Sequence, residues 1–135
     1  MEYKSVLTTC TYCGCGCNFY LESVDGRLTG TIPCKTSPVN EGRLCIKGWN
    51  AHEFVQSDQR LTSPLIRKDG QLVPVSWEEA LDYTASQLGA IRSESGPDSL
   101  AFLASAKVTN EENYVLQKFA RAGVGTNNID HCARL

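Results

Sequence analysis

Four cysteines have types and spacing that could bind iron. They follow the pattern Cys10-x2-Cys13-x3-Cys17-x27-Cys45. Three closely spaced thiolates can bind three corners of a cubane, and a distant fourth completes the ligand set. Thiolates are soft, charged donors that suit iron. The spacing therefore predicts one [4Fe–4S] cluster with Cys10, Cys13, Cys17 and Cys45 as its metal ligands.

Two other uses of these cysteines have to be weighed. The uneven x2–x3 spacing is unlike the paired Cys-x2-Cys of zinc knuckles, so a structural zinc site is the second alternative. Disulfides come last, because the chain has seven cysteines, an odd number, and its first residues lack a secretory signal. Crowded cysteines in a reducing compartment more often bind metal.

The other residues of the cysteine-rich segment have more ordinary interpretations. Using Cys15 as a ligand would change the spacing to x2–x1, so we expect it to be a spectator with a redox or alternative-ligand role as the minor possibility. Cys34 is also an expected spectator, since its gap from Cys17 is short for a fourth ligand. Gly14 and Gly16 would let the backbone turn tightly and expose amides to the cluster sulfurs.

Lys47 lies two residues after Cys45 and has two possible roles. It could be a solvated lysine, the commonest state of this residue type. It could instead be a cation that eases reduction of an anionic cluster and contacts a second cofactor. The residues alone leave both open, whereas Arg43 and Lys35 are expected surface charges and His52 an expected structural residue.

Composition limits the class of protein. The chain has 135 residues, 41% of them hydrophobic, with 13 basic and 15 acidic residues and a net charge of −2. This balance offers no basic field for nucleic acid or an acidic membrane surface. No run approaches about 18 apolar residues, so no spanning helix is expected. The first residues lack a signal peptide and a twin-arginine signal, which predicts a cytoplasmic protein.

Short strands are predicted up to residue 75. Asp25-Gly26 is a strong two-residue hairpin signal between two moderately alternating segments. The expected elements are a strand at 4–9, a hairpin of 18–24 and 27–32, a loop at 33–45, a short helix at 48–56, and a second hairpin of 64–67 and 71–75 around 68–70.

The pattern then changes to α/β. Capping boxes at 76–79 and 109–112 open two helices, and Gly96-Pro97 ends the first. The apolar run 100–104 predicts a strand covered on both faces, and 126–129 would begin the next. The residues expected to face inward are Trp77, Ala80, Leu81, Thr84, Ala85, Leu88 and Ile91 on the first helix and Val115, Leu116, Phe119 and Ala120 on the second.

These elements predict an α+β chain in three parts. Residues 1–60 form a small, mostly β lobe that binds the [4Fe–4S] cluster, and 61–75 form a linking hairpin. Residues 76–135 form the first part of an α/β domain. With only one or two strands, such a domain cannot bury both faces of its sheet. We therefore expect it to be incomplete, with exposed apolar faces and marginal stability.

Two motifs carry a resemblance to a known family. The sequence CTYCGCGC at 10–17 and GRLCIKG at 42–48 resemble the cluster lobe of the molybdopterin oxidoreductase superfamily. The segments RLTSPLIR at 60–67 and VSWEEAL at 75–81 follow in the order expected of that family. The resemblance covers essentially the whole chain, but these motifs do not separate its formate dehydrogenases from its nitrate reductases.

The last segments narrow the resemblance. NEENY at 110–114, QKFAR at 117–121 and GTNNIDHCAR at 125–134 are similar to formate dehydrogenase catalytic (alpha) subunits. Nitrate reductases usually lack the His131-Cys132 pair. Without the resemblance this pair would carry little meaning, because adjacent residues on a strand point to opposite faces.

The resemblance implies a redox enzyme that interconverts formate and CO2. Molybdenum or tungsten would be held by two pterin guanine dinucleotides (molybdopterin) and one Cys or selenocysteine, expected directly after Leu135, so no catalytic residue is expected within the chain. The cluster would pass electrons singly, and Lys47 would lie between it and one pterin. Other iron–sulfur subunits, ferredoxin or a hydrogenase are the expected electron-transfer partners. The chain alone is expected to be inactive.

Two further expectations concern the chain end and the competing functions. We expect a truncated reading of a selenoprotein gene whose UGA codon follows Leu135; a trimmed chain or a frameshift is the alternative. The competing functions are another superfamily enzyme, chiefly an assimilatory nitrate reductase, and a stand-alone iron–sulfur electron carrier. A carrier has no need of a half-built α/β region, and this argues against it.

Overall fold

The computed structural model describes residues 1–132. Residues 133–135 lie outside the described part, and with them Leu135 and the metal ligand expected to follow it. The strands are β1 (Tyr3–Thr9), β2 (Asn18–Val24), β3 (Arg27–Pro33), β4 (Leu65–Lys68), β5 (Gln71–Pro74), β6 (Phe102–Ser105) and β7 (Ile129–Cys132). The α-helices are α1 (Ile46–Trp49), α2 (Trp77–Ser95) and α3 (Asn110–Lys118). The predicted α+β class is confirmed.

The chain forms two compact units. The first unit contains Met1–Arg60 and Ser105–Tyr114, together with Cys132. The second contains Leu61–Ala104 and Val115–His131. The division into 1–60, 61–75 and 76–135 stays a prediction. No helix in residues 1–132 is both long and apolar enough to cross a membrane.

In the first unit, β1, β2 and β3 form an antiparallel sheet in sequence order. The predicted hairpin between β2 and β3 is confirmed. Its two turn residues, Asp25 and Gly26, have φ of 48° and 79°. Two positive φ values are what a two-residue hairpin turn requires, and Gly meets this requirement without a Cβ clash.

The single helix predicted at 48–56 is wrong, because two short helices take its place. The α1 helix begins at Ile46 and ends at Trp49. The side chain of Asn50, the C-cap residue, donates to the Ile46 carbonyl at 2.9 Å. A local side-chain bond of this kind competes with continuation of the helix. A 3-10 turn then covers Phe54–Gln56, and the Gln56 amide bonds both the N–H and the carbonyl of Leu28.

In the second unit, both helix-start and turn signals are confirmed with small differences. Lys68 pairs with Gln71, so the turn has two residues rather than three. The Ser76 hydroxyl accepts from the Glu79 N–H at 3.1 Å, but the Glu79 carboxylate accepts from Lys68 at 2.6 Å. Only half of the predicted capping box therefore forms. Gly96, with φ of 82°, ends α2.

The predicted strands 100–104 and 126–129 are both displaced toward the C-terminus. Leu100 is buried before β6 begins, and Leu103 within β6 is 82% exposed, so the strand is not covered on both faces. The Thr126 hydroxyl donates to Asp98 at 2.7 Å, and the Asn128 side chain donates to the Asp98 carbonyl at 2.9 Å. These bonds hold residues 126–128 in a connecting segment, so β7 starts only afterwards.

The apolar helix faces predicted to lie inward are largely exposed. No residue of α2 is buried, and Trp77 is 70% exposed. After α3 the chain widens into a π-helical segment, Phe119–Val124, in which Ala120 and Val124 are buried. Val115, on α3 itself, stays 62% exposed. Within residues 1–132, β4–β5 and β6–β7 form two separate sheets of two strands each. Sheets this small are too narrow to cover both helices.

This burial pattern predicts unequal costs for two similar truncations in the second unit. Val124→Ala removes methyl groups from a side chain that is 5% exposed and should lower the free energy of unfolding by about 2 kcal/mol. Leu81→Ala removes a side chain that is 62% exposed and should change it by less than about 0.5 kcal/mol. Urea unfolding of the 135-residue chain measures both; a larger loss at Leu81 would contradict the described burial.

Candidate metal centre

The first three predicted ligands lie on one hairpin loop. The sheet register pairs Thr9 with Asn18, so residues 10–17 form the loop that joins β1 to β2. The Cys10 N–H donates to the Cys17 carbonyl at 2.7 Å, which closes the base of the loop. Cys10 and Cys17 are thereby held opposite each other, and Cys13 lies between them along the loop.

The fourth predicted ligand, Cys45, shares a cavity with cysteines of this loop. A cavity of about 490 Å³ in the first unit is lined by Cys13, Cys15, Cys17 and Cys45. The remaining predicted ligand, Cys10, is only 6% exposed and does not line this cavity; it lies at the base of the loop that carries Cys13 and Cys17. No three His, Cys, Asp or Glu side chains of residues 1–132 are placed to hold a single metal ion. In a cubane each thiolate binds its own iron, so cysteines around a cavity fit such a cluster.

Burial and the crowding of thiols act together on Cys17. Burial raises the pKa of the Cys17 thiol to about 11, with contributions from its hydrogen bond to Cys15 and from the nearby Cys10 and Cys13. The two sulfurs of Cys17 and Cys15 are 3.5 Å apart. Thiolates this close repel one another unless cations lie among them, and iron supplies that charge.

Cys45 is the ligand whose local structure favours the thiolate. It is the N-cap of α1. The backbone N–H of Gly48, followed by that of Lys47 and the Lys47 charge, lowers the pKa of the Cys45 thiol. Because the thiolate is the form that binds metal, this end of α1 prepares Cys45 for its predicted role. The donor set as a whole fits an iron–sulfur cluster.

Asn40 ties the two ligand-bearing segments together, and the sequence analysis missed it. Its side-chain oxygen accepts from the Asn18 N–H at 2.9 Å. Its amide nitrogen donates to the Asn18 carbonyl at 3.1 Å and to the Arg43 carbonyl at 2.9 Å. Asn18 directly follows Cys17, and Arg43 lies two residues before Cys45. The only sequence signal was a polar residue in the loop between ligands, and its burial cannot be derived from one sequence.

Lys47 lies over an aromatic ring instead of extending into solvent. Its ammonium is 4.8 Å from the centroid of the Tyr12 ring, and both residues are half-buried. They line a second cavity of about 490 Å³ in the same unit, next to Asn50 and Phe54. A cation–π contact of this kind contributes about 0.5–1 kcal/mol. Tyr12 is a second residue that sequence reasoning missed, although it stands between Cys10 and Cys13.

The remaining candidates lie apart from this arrangement or at its edge. Cys34 is buried, and the Thr36 hydroxyl, 3.4 Å from its sulfur, lowers the pKa of its thiol. Its carbonyl accepts from the Ser37 and Gly42 N–H groups, which gives it a structural place in the loop. Arg43 is exposed, yet it lines the cysteine cavity.

Other residues singled out in the sequence have few contacts of note. Lys35 is exposed, as expected. Within residues 1–132, the buried Nδ1 atom of His52 has no hydrogen-bond partner. His131 and Cys132 lie on β7 and are both exposed, and the Cys132 sulfur is 3.7 Å from the Ser105 hydroxyl.

The bonds of Asn40 predict that its side chain is needed for metal binding. Asn40→Ala and Asn40→Asp both remove two donated bonds from a buried site, each worth about 1 kcal/mol or more when its partner is left unpaired. We expect both variants to bind markedly less iron. Asn128→Ala is the control, because it also removes two side-chain bonds to carbonyls, but in the second unit. Iron analysis after anaerobic purification should show loss only at position 40; full iron content in Asn40→Ala would contradict the bridging role.

Family models match both parts of the chain. Residues 3–57 match the molybdopterin oxidoreductase Fe4S4 domain, which includes all four predicted ligands. Residues 60–135 match the molybdopterin oxidoreductase model.

Curated relatives are similar over the whole chain. The F420-dependent formate dehydrogenase 1 subunit alpha of Methanococcus maripaludis is 53% identical over 135 residues, covering 100% of this chain and 19% of that protein. The F420-dependent formate dehydrogenase subunit alpha of Methanocaldococcus jannaschii is 50% identical with the same coverage. A putative formate dehydrogenase of Staphylococcus aureus is 46% identical over 131 residues, 97% of this chain and 13% of that protein. The chain thus spans about a fifth or less of these relatives.

A solved structure supports the fold. Acetylene hydratase from Pelobacter acetylenicus superposes with a TM-score of 0.73 over 95% of this chain and 18% of its own, at 24% identity. At that identity the likeness concerns the fold alone. Because two family models together match residues 3–57 and 60–135, and a relative is 53% identical over all 135 residues, the chain belongs to the molybdopterin oxidoreductase family.

Proposed function

We propose that this chain is the electron-transfer, N-terminal part of a formate dehydrogenase catalytic subunit, an enzyme that interconverts formate and CO2. The observation that carries the proposal is the 53% identity to a formate dehydrogenase alpha subunit across all 135 residues. The relatives from two methanogens and from Staphylococcus aureus all have formate dehydrogenase in their names. Support therefore comes from distant organisms.

In this proposal Cys10, Cys13, Cys17 and Cys45 hold a [4Fe–4S] cluster. When bound, such a cluster accepts and donates one electron at a time. The residues around it set its position. The β1–β2 hairpin fixes Cys10 and Cys17 through their 2.7 Å backbone bond, and Asn40 holds the segment that leads to Cys45.

Lys47 is proposed to act as a fixed positive charge between the cluster and a pterin. Its charge already lowers the pKa of the Cys45 thiol, so its field reaches a predicted ligand. Contact with the Tyr12 ring holds the ammonium without neutralising it. A cation held close to an anionic centre stabilises the reduced, more negative state. Lys47 would thereby ease electron entry into the cluster.

The catalytic metal and the partners belong to the complete protein. We propose molybdenum or tungsten held by two pterin guanine dinucleotides, in agreement with the family of residues 60–135. Formate or CO2 would be the substrate. Iron–sulfur subunits, ferredoxin, a hydrogenase or, as the names of the methanogen relatives suggest, an F420-dependent partner would exchange electrons. The proposed compartment is the reducing cytoplasm, where thiolates stay available to bind iron.

Replacing each cysteine in turn tests the ligand set. Cys10→Ser, Cys13→Ser, Cys17→Ser and Cys45→Ser should each lose the cluster, because a serine hydroxyl is a poor substitute for a soft thiolate. Cys15→Ser and Cys34→Ser are the matched controls and should keep about four irons and four sulfides per chain. Iron and sulfide analysis with electron paramagnetic resonance of the reduced protein measures this. Stoichiometric zinc without iron would overturn the proposal.

Formate-dependent dye reduction by the complete protein tests the activity and the role of Lys47 together. The wild type should reduce a viologen dye with formate, and nitrate should not reoxidise the reduced dye in its presence. Lys47→Ala should keep the cluster, lower its midpoint potential and slow electron delivery, because a nearby positive charge is lost.

The conservative variants sharpen this test. Lys47→Arg keeps the charge and should retain most of the potential and the rate. Tyr12→Phe keeps the aromatic face beneath the ammonium and should behave similarly. Unchanged potential and turnover in Lys47→Ala would make Lys47 an ordinary solvated lysine. Nitrate-dependent dye oxidation without formate activity would replace formate dehydrogenase by nitrate reductase.

A further inference from the structure

A side chain distant in sequence contacts the backbone of the cysteine loop. The Asn110 amide nitrogen donates to the Gly14 carbonyl at 2.9 Å, across 96 residues of sequence. The side chain also packs directly against Gly14. A Cβ atom at Gly14 would overlap the Asn110 Oδ1 atom and lie 3.1 Å from its Cγ. Both residues belong to the first compact unit.

The start of α3 holds Asn110 in place. The flanking residues form a complete capping box: the Thr109 N–H donates to the Glu112 carboxylate at 2.7 Å, and the Glu112 N–H donates to the Thr109 hydroxyl at 3.3 Å. Asn113, one turn on, donates to the Ser105 carbonyl at 3.2 Å. Asn110 is therefore presented from a helix start whose Thr109 and Glu112 N–H groups are both satisfied by side chains.

The cysteine loop contains two glycines, Gly14 and Gly16, and a side chain would be disfavoured at each for a different physical reason. Gly16 has φ of +74°, and a Cβ atom added there would meet nothing within 4 Å, so its backbone conformation alone disfavours other residues. Gly14 has no positive φ, so its backbone would accept alanine. A side chain at Gly14 would meet the Asn110 amide group, which would have to move aside and give up its bond to the Gly14 carbonyl.

We infer that Asn110 is a positioning residue for the iron–sulfur site, acting through Gly14. The inference rests on the proposed cluster. Because a peptide unit is planar and trans, a carbonyl held toward Asn110 fixes the N–H of Cys15 in the opposite direction. This peptide lies between the ligands Cys13 and Cys17. Asn110 thus sets the path of the loop between two ligands and the direction of an amide beside the cluster.

A fixed amide direction matters for chemistry as well as for fold. Hydrogen-bond donors around the ligands tune a cluster's electronic state and its potential. Without Asn110, the peptide between Gly14 and Cys15 can rotate. The ligands on either side of it, Cys13 and Cys17, can then move apart more easily. The spectrum and the lability of the cluster should then change while the rest of the lobe stays folded.

The test is a pair of substitution cycles in the complete, anaerobically purified protein. The variants are Asn110→Ala, Gly14→Ala, the double variant of the two, and Gly16→Ala with and without Asn110→Ala. Iron and sulfide content, the paramagnetic resonance spectrum of the reduced cluster and the rate of iron release to a chelator are measured for each.

The steric argument fixes the expected pattern. Asn110→Ala should keep its cluster, show a changed spectrum and release iron roughly fivefold faster, the effect of one lost hydrogen bond. Gly14→Ala should hold less cluster than Asn110→Ala, because the added methyl group and the Asn110 amide cannot occupy the same space, and adding Asn110→Ala should restore the content to that of Asn110→Ala alone. Gly16→Ala should not be restored by Asn110→Ala, because its strain is in its own backbone.

Each contrary outcome has a distinct meaning. A normal cluster in Gly14→Ala, no restoration in the double variant, or an unchanged spectrum and release rate in Asn110→Ala would overturn the inference. If Gly14→Ala does not fold, Asn110→Ala and the double variant still decide the question. A wild-type protein without iron and sulfide would overturn the proposed function, whereas a wild-type cluster without restoration overturns only the role of Asn110.

Discussion

The three hydrogen bonds of the Asn40 side chain are the constraint on which the candidate metal centre depends. They join Asn18, which follows Cys17, to Arg43, which precedes Cys45. Apolar burial contributes little to joining these two segments, since the buried apolar residues in the described part of the first unit are Cys10, Phe19 and Cys34. Buried Thr31, Ser37 and Asn40 make up much of the rest. A lobe this small holds its shape by satisfied polar contacts and by what its cysteines bind.

The electrostatics of the cysteines follow from this construction. Crowding and burial raise the pKa of Cys17, whereas amides of α1 and the charge of Lys47 lower that of Cys45. One side of the cavity therefore resists carrying a thiolate on its own, and the other favours it. A bound, cationic iron–sulfur core would offset the repulsion among the thiolates near Cys17 and would bind the thiolate that is already favoured at Cys45. Metal binding and ordering of the loop would therefore stabilise each other.

Sequence predicted the local features and missed the long-range ones. The hairpin at Asp25-Gly26 was readable because a two-residue turn needs positive φ at both positions, and the capping box at Thr109 because its donors lie three residues apart. The contacts of Asn40 and Tyr12 depend on how loops fold back, which spacing does not record. The face of α2 was read correctly as apolar, yet Trp77 is 70% exposed, because periodicity shows what a helix could bury and not whether a partner covers it.

The same limit explains why the sequence division near residue 60 differs from the compact units. The family models divide the chain between residues 57 and 60. The first unit, however, also takes in Ser105–Tyr114, the segment that carries Asn110 to Gly14. A motif of closely spaced cysteines looks self-contained in sequence because its ligands are neighbours. Yet Asn110, at the start of a helix 96 residues further along the chain, donates to the Gly14 carbonyl. A side chain at Gly14 would compete with Asn110 for the same space.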